Sequence, residues 1–178
     1  KVAAVSPDIK VADIDYNKEN IIKNIIKSNE KGVSLVVFPE LCITGYTCGD
    51  LFFQQTLLTS ALNGLETILK ELKQEDIICI VGLPIRVETN LYNCAAVCYH
   101  GRLLGIVPKT NLVDQGGLNE TRYFCTAPDY REIMLCNQTV PFGTNIIFSC
   151  DTLTEFQFGV EICKDIWVTE PPSNVLAK

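Results

Sequence analysis

Three residues of this sequence carry the chemistry of a base-assisted thiol: Glu40, Lys109 and Cys163. Each follows directly on an apolar run that reads as a strand. Leu35-Val36-Val37-Phe38 precedes Pro39-Glu40, Leu104-Gly105-Ile106-Val107 precedes Pro108-Lys109, and Phe156 to Ile162 precedes Cys163. In α/β sheets the groups just past the carboxyl ends of strands are those that meet a ligand. A glutamate or a lysine beside such a run is costly to bury without a partner. Glu40 and Lys109 can meet that need by pairing with each other, and a buried structural ion pair is one complete reading of them. A thiol beside the pair changes the chemistry. A carboxylate can take the proton of Cys163, and an ammonium can stabilise the anion formed when a carbonyl is attacked. Taken alone, Cys163 also has the plainer reading of one among nine cysteines that simply packs.

The elements that must position these groups follow from hydrophobic period and turn residues. Val2-Ala3-Ala4-Val5 is a short strand ended by Ser6-Pro7. Tyr16 to Lys31 is a helix with an apolar stripe of Ile21, Ile22, Ile25 and Ile26, and Gly32 is placed to end it. The unbroken run Leu35 to Phe38 fits a strand buried on both faces. Leu58, Leu62, Leu65, Leu69 and Leu72 make a second amphipathic helix. Ile77 to Leu83 is a third strand, cut off by Pro84. Leu91 to Tyr99 and Arg102 to Val107 flank His100-Gly101, a two-residue hairpin signal. Asn111 to Asn119 is a polar surface loop. Asn145 to Cys150 and Phe156 to Cys163 are further strands, and in the second Phe156, Phe158, Val160 and Ile162 share a face. Asp165 then serves as N-cap of a new element. Cys163 stands at a strand-to-helix corner, which can lower a thiol pKa and aim backbone N–H groups at a developing anion. The order βαβαβββ and onward predicts one α/β domain with a mixed sheet, with no internal repeat and no low-complexity linker.

Composition narrows the partners. A chain of 178 residues, 47% hydrophobic and 20% charged, is globular and long enough for one core. A net charge of −6 without a basic cluster argues against nucleic acid or an anionic membrane as partner. No apolar run reaches the roughly 18 residues of a spanning helix. Cys79, Cys94, Cys98 and Cys150 lie in apolar strands, which predicts reduced, buried thiols and a cytoplasmic protein. His100 is the only histidine, and neither Cys42 with Cys48 nor Cys94 with Cys98 has a matching pair of ligands, so no metal site is expected. No phosphate-binding loop of the form G-x-x-x-x-G-K-S/T or S-G-G is present, and no nucleotide cofactor is expected in this chain.

The segments around the three residues carry a resemblance. Phe38-Pro39-Glu40-Leu41, Val107-Pro108-Lys109-Thr110 and Val160-Glu161-Ile162-Cys163 together resemble the Glu-Lys-Cys signature of the nitrilase (carbon-nitrogen hydrolase) superfamily, with separations of the size that family shows. The flanks Pro39 to Phe52, Val140 to Asn145, Asp165 to Val168 and Pro171-Pro172-Ser173 closely resemble the glutaminase domain of the glutamine-dependent NAD synthetases. The likeness covers essentially the whole chain. It implies an α-β-β-α sandwich in which Cys163 attacks the side-chain amide of glutamine, Glu40 is the general base and Lys109 holds the oxyanion. It implies that Glu120 is a fourth catalytic residue orienting Lys109 or the thiol, against the alternative of a solvated loop charge. Tyr46 matches a tyrosine lining the pocket or the ammonia exit, against that of a packed aromatic. Two substrate-binding positions depart from the family's usual residues: Gln115 stands where a tyrosine shapes the glutamine pocket, and Lys164 where an acid or small polar residue follows the nucleophile. An acid there can meet the substrate α-ammonium and a lysine cannot, so Lys164 is expected to point to solvent or to pair with Asp165 or Glu170.

The same resemblance implies that residues 1–178 are the N-terminal portion of a nitrilase-like glutaminase domain within a longer polypeptide. ATP and deamido-NAD are then expected only for a synthetase module C-terminal to it in the parent chain. Part of the sheet is expected to need cover from further chain or from a second copy in a homo-oligomer. Two alternatives stand beside this reading: a stand-alone amidase acting on another amide, which Gln115 and Lys164 favour, and a non-catalytic relic whose Glu40–Lys109 pair is structural only.

Overall fold

The first half of the chain alternates strand and helix because its apolar period alternates: β1 (Val2–Ala4), α1 (Ile14–Glu30), β2 (Leu35–Val37), α2 (Gln55–Glu71) and β3 (Ile78–Val87). The computed structural model describes residues 1–177; Lys178, the last residue of the expected domain, lies outside the described residues. Helix α1 starts earlier than its isoleucine stripe suggests, because Asp13 accepts the Tyr16 N–H at 3.1 Å and caps it. Gly32, at φ +68°, turns the chain away after Lys31. Next come β4 (Asn90–Tyr99) and β5 (Arg102–Pro108), joined by His100 and Gly101 at φ +47° and +75°, the two left-handed residues of a tight hairpin. The remaining elements are β6 (Arg131–Leu135), β7 (Gln138–Phe142), β8 (Phe148–Ser149), β9 (Gln157–Phe158) and the short α3 (Ser173–Leu176).

Strands β1 to β7 form one mixed sheet in the order β1-β2-β3-β4-β5-β7-β6. Both long helices lie on one face, where Ile21, Ile25, Leu65 and Ile68 pack with Val36, Cys79, Val81 and Leu83. The opposite face presents Ile80, Ala95, Val97 and Val107, covered by Phe148, Val160 and Ile162 from β8 and from the segment after β9. Helices, main sheet and the β8–β9 ribbon thus stack as successive layers of the expected α/β fold. Val36 is fully buried, while Leu35 and Val37 on the ribbon side are half-buried. Among the described residues no helix is long and apolar enough to cross a membrane.

Strand directions determine where the site lies. β2 runs parallel to β3, and the antiparallel steps β3–β4 and β4–β5 return β5 to the direction of β2. The carboxyl ends of β2 and β5 therefore share one sheet edge with the beginning of β4. Beyond β2, residues Pro39 to Leu41 cross over β3 at Gly82. A Cβ on Gly82 would lie 2.3 Å from Leu41 N and 2.7 Å from the Pro39 oxygen, so the crossing requires glycine there.

Several expected boundaries are corrected. β3 continues through Pro84 to Val87. β2 pairs with β3 only as far as Ile80, so Pro84 has a strand neighbour on one side only and its missing N–H is tolerated. The strands expected at 145–150 and 156–163 shrink to two residues each, since β8 and β9 pair only with each other. Val160 and Ile162 keep the alternation of burial without a ladder partner, so an alternating apolar face here needed no strand. Cys150 follows β8, half-buried, rather than lying inside a strand. The β6–β7 hairpin was not expected at all; its turn is Cys136-Asn137, both left-handed, without glycine.

Candidate active site

Glu40 sits on the turn after β2, next to Leu41 at φ +52°, an uncommon conformation for a branched residue. Lys109 directly follows β5 and is 1% exposed. Its Nζ donates to Glu40 Oε1 at 2.6 Å and to Glu120 Oε1 at 2.8 Å. Glu120 opens a 3-10 turn (Glu120–Arg122) beneath the surface loop and is buried. Its Oε1 also accepts the Tyr46 hydroxyl at 2.7 Å, and its Oε2 accepts the Val113 N–H at 2.7 Å. Glu120 is therefore no solvated loop charge: its carboxylate holds the Lys109 ammonium, the Tyr46 hydroxyl and the loop above it. An ammonium has three N–H donors. Two are committed here, which leaves one for a third acceptor.

Asn93, on β4, was not singled out from the sequence. Its Nδ2 donates to Glu40 Oε1 at 2.6 Å, and its main-chain oxygen accepts the Lys109 N–H at 2.8 Å. Both donors to Glu40 meet the same oxygen, and Oε2 remains for another proton. A polar residue in the buried run Leu91 to Tyr99 was the available signal.

Cys163 begins a 3-10 helix (Cys163–Trp167) at φ +48°, a left-handed corner. The residue is solvent-exposed, yet its thiol is partly desolvated beside Glu40. Desolvation first, and then the charge of Glu40, push the thiol above its ordinary range, against the pull of Lys109. The corner thus does not yield a resting thiolate, and deprotonation needs a base. Burial likewise pushes Glu40 up, although Lys109 and Asn93 pull it down. For Lys109, desolvation acts downward but is outweighed by Glu120 and Glu40, so the ammonium is held above its usual range and stays charged. Burial, then the bond to Glu120, raises the Tyr46 hydroxyl and keeps it a donor.

Asp165 lies inside the first turn rather than at the N-cap. Its carboxylate accepts the N–H of Ile162 at 3.2 Å, of Thr110 at 3.1 Å and of Asn111 at 2.6 Å. It thereby ties the Cys163 corner to the residues just past Lys109. Lys164 neither reaches solvent freely nor pairs with Asp165 or Glu170. Its Nζ donates to the Leu112 carbonyl at 2.7 Å, because Asp165 is already filled by the backbone donors and by the Asn111 side-chain amide, and that carbonyl lies across the same seam. Gln115 sits on the exposed stretch of the loop, its carbonyl accepting Leu118 N–H at 3.1 Å, apart from the ion-pair cluster. Beside Glu120, an open cleft of about 200 Å³ is lined by Leu41, Tyr46, Phe52, Leu118 and Tyr123. Among the described residues no group of three His, Cys, Asp or Glu side chains could hold a metal ion.

Thiol chemistry separates Cys163 from Cys150. The Thr152 hydroxyl and nearby backbone hold Cys150 below the ordinary thiol range, whereas burial pushes Cys42 up to about 12. A general alkylating reagent is therefore expected to find Cys150 readily, since the thiolate is the nucleophile. A glutamine-shaped electrophile should instead label Cys163 first, because there Glu40 stands beside the thiol as a base. Peptide mass analysis after limited labelling distinguishes the two. Equal labelling of both cysteines by the glutamine-shaped reagent would count against the site.

Comparison with known proteins gives the chain its relatives. The chain is 32% identical over 174 residues to the glutamine-dependent NAD(+) synthetase of Mycobacterium tuberculosis, covering 97% of this chain and 26% of that protein. It is 29% identical over 171 residues to the glutamine-dependent NAD(+) synthetase of Homo sapiens, covering 90% of this chain and 24% of that one. The crystal structure of a glutamine-dependent NAD(+) synthetase from Cytophaga hutchinsonii superposes with a TM-score of 0.83 at 28% identity, over 92% of this chain and 27% of that one. The chain thus spans about a quarter of the length of these relatives. The family model described as carbon-nitrogen hydrolase matches residues 1–174, and the chain belongs to that family.

Proposed function

We propose that this chain is a cysteine amidase that hydrolyses the side-chain amide of glutamine and releases ammonia. The observation that carries the reading is the Lys109 ammonium, buried between Glu40 and Glu120 with one donor uncommitted, next to a thiol that Glu40 can deprotonate. Glu40 takes the Cys163 proton as Sγ attacks the amide carbon. The oxyanion that forms accepts the third N–H of Lys109. Glu40 then returns the proton to the departing ammonia, leaving a thioester on Cys163. Water, deprotonated by Glu40, attacks that thioester and frees glutamate and the thiol. Glu120 and Tyr46 hold Lys109 in place throughout.

Glutamine as substrate is supported by the relatives, each named for dependence on it. By the same names the ammonia serves NAD(+) synthesis in a longer protein; the ATP-dependent module acting on deamido-NAD, the cytoplasmic location and the homo-oligomer rest on the sequence resemblance alone. Ammonia release from glutamine, measured against asparagine and simple aliphatic amides in the natural full-length protein, tests the substrate. Preference for glutamine supports the reading. Preference for another amide supports a different amidase, in line with the exposed Gln115 and with a Lys164 that is bound to the loop.

The pH dependence has a determined sign. Glu40 works only as a carboxylate, and burial raises its pKa above the ordinary glutamate range. The acid limb of kcat/KM is therefore expected above that range, with activity lost as pH falls through it. An acid limb within the ordinary carboxylate range would show that burial does not hold Glu40 above that range.

A further inference from the structure

We propose that Asn93 is a positioning residue that holds the base and the ammonium in one fixed relation, its amide on Glu40 and its main-chain carbonyl on Lys109. The inference rests on the amidase reading only in giving Glu40 the role of base. Asn93 is 1% exposed, within an otherwise apolar stretch of β4. Its neighbour Cys94 pairs in register with Pro108, so Asn93 lies beside the residue that follows β5, which is Lys109. The 2.8 Å bond from the Lys109 N–H to its main-chain oxygen fixes where that side chain starts, and the 2.6 Å bond from Nδ2 to Glu40 Oε1 fixes how the carboxylate is turned. Lys109 Nζ meets that same oxygen at 2.6 Å. Two donors on Oε1 leave Oε2 to the Cys163 thiol.

The other half of the amide shows that this arrangement is not simply good packing. Asn93 Oδ1 is buried without a hydrogen-bond partner. An unsatisfied buried carbonyl is costly, and an apolar side chain of the same size would avoid the cost. What the asparagine adds is a donor to Glu40. The reverse amide orientation would set a carbonyl against a carboxylate and is disfavoured on charge.

The charged and titratable groups facing Glu40 are Lys109 from the end of β5, Glu120 from its 3-10 turn, Cys163 from the corner and Tyr46 from the turn that follows Glu40. Lys109 and the Asn93 donor favour ionised Glu40, whereas burial and Glu120 oppose it. Loss of the Asn93 donor therefore shifts Glu40 further toward its protonated form.

The test uses Asn93→Leu, which keeps the volume, and Asn93→Asp, which keeps the shape but removes the donor, both in the natural full-length protein. Two readouts are taken: kcat and KM for glutamine, and the pH dependence of Cys163 alkylation by iodoacetamide without substrate. Asn93→Leu is expected to lower kcat about tenfold or more, the scale of a hydrogen bond to a charged group. KM should change by less than about twofold, since the interaction acts on the chemistry. In both variants the acid limb of alkylation moves to higher pH, further in Asn93→Asp, where a second carboxylate faces Glu40. If Asn93→Leu fails to fold, the limb in Asn93→Asp decides. An unmoved acid limb, with activity and melting temperature falling together, assigns Asn93 a structural role and overturns the proposal. If wild type ignores glutamine yet its alkylation limb moves in the variants, the substrate reading falls and the positioning role stands.

Discussion

Lys109→Met is expected to lower turnover by roughly 10²–10³-fold, the scale for removing one donor to a developing oxyanion. It should also destabilise the protein by about 3–5 kcal/mol, the cost of breaking a buried ion pair by removing one partner. Both effects have one cause. Methionine keeps most of the stem, so packing changes little, but Glu40 and Glu120 lose the cation that both contact. Glu40, which burial already pushes up, then loses the ammonium that pulls it down and favours protonation. The variant should therefore recover part of its stability in mildly acidic buffer, where Glu40 takes up a proton, and lose it as pH rises. Thermal melts of wild type and variant across that range measure the difference. A Lys109→Met protein that melts like wild type at every pH would show that the cluster bears little energy, and equal turnover would remove Lys109 from the chemistry.

Cys163→Ala should abolish amide hydrolysis, a loss on the order of 10⁶-fold where nucleophile and base act as a unit. Glu40→Gln alone is expected to cost about 10²–10⁴-fold, the usual contribution of a positioned base. Added to Cys163→Ala, Glu40→Gln should change almost nothing, because a base with no thiol to deprotonate has no task. The sum of the single losses would therefore far exceed the loss in the double variant. Substantial turnover by Glu40→Gln would end the role of Glu40 as base, and additive losses would mean that the two residues act separately.

Legibility in the sequence followed the kind of interaction involved. β2 to β5 were readable as runs of apolar residues and both long helices as periodic apolar faces, and His100-Gly101 announced its own turn. The Cys136-Asn137 turn carries no glycine, so the β6–β7 hairpin left little local trace. Phe156 to Ile162 shows strand alternation, but a ladder needs a partner strand, and only Gln157 and Phe158 have one. Glu40, Lys109 and Cys163 stood out because charged or nucleophilic groups at strand ends are chemically conspicuous. The distant partners of Lys164 and Asp165 were not visible, since they are mostly main-chain groups of residues 110–112 brought near only by the fold. Asn93 was hidden for a similar reason: its donor matters only where the chain past β2 crosses Gly82 and carries Glu40 over β3.

The most direct test of the central claim is to quench the natural full-length protein with acid during turnover of glutamine and to analyse its peptides by mass. A γ-glutamyl thioester on the peptide that contains Cys163, absent from Cys163→Ala, is the predicted result. Ammonia release that persists in Cys163→Ala, or an acyl group on any other cysteine, would contradict the account.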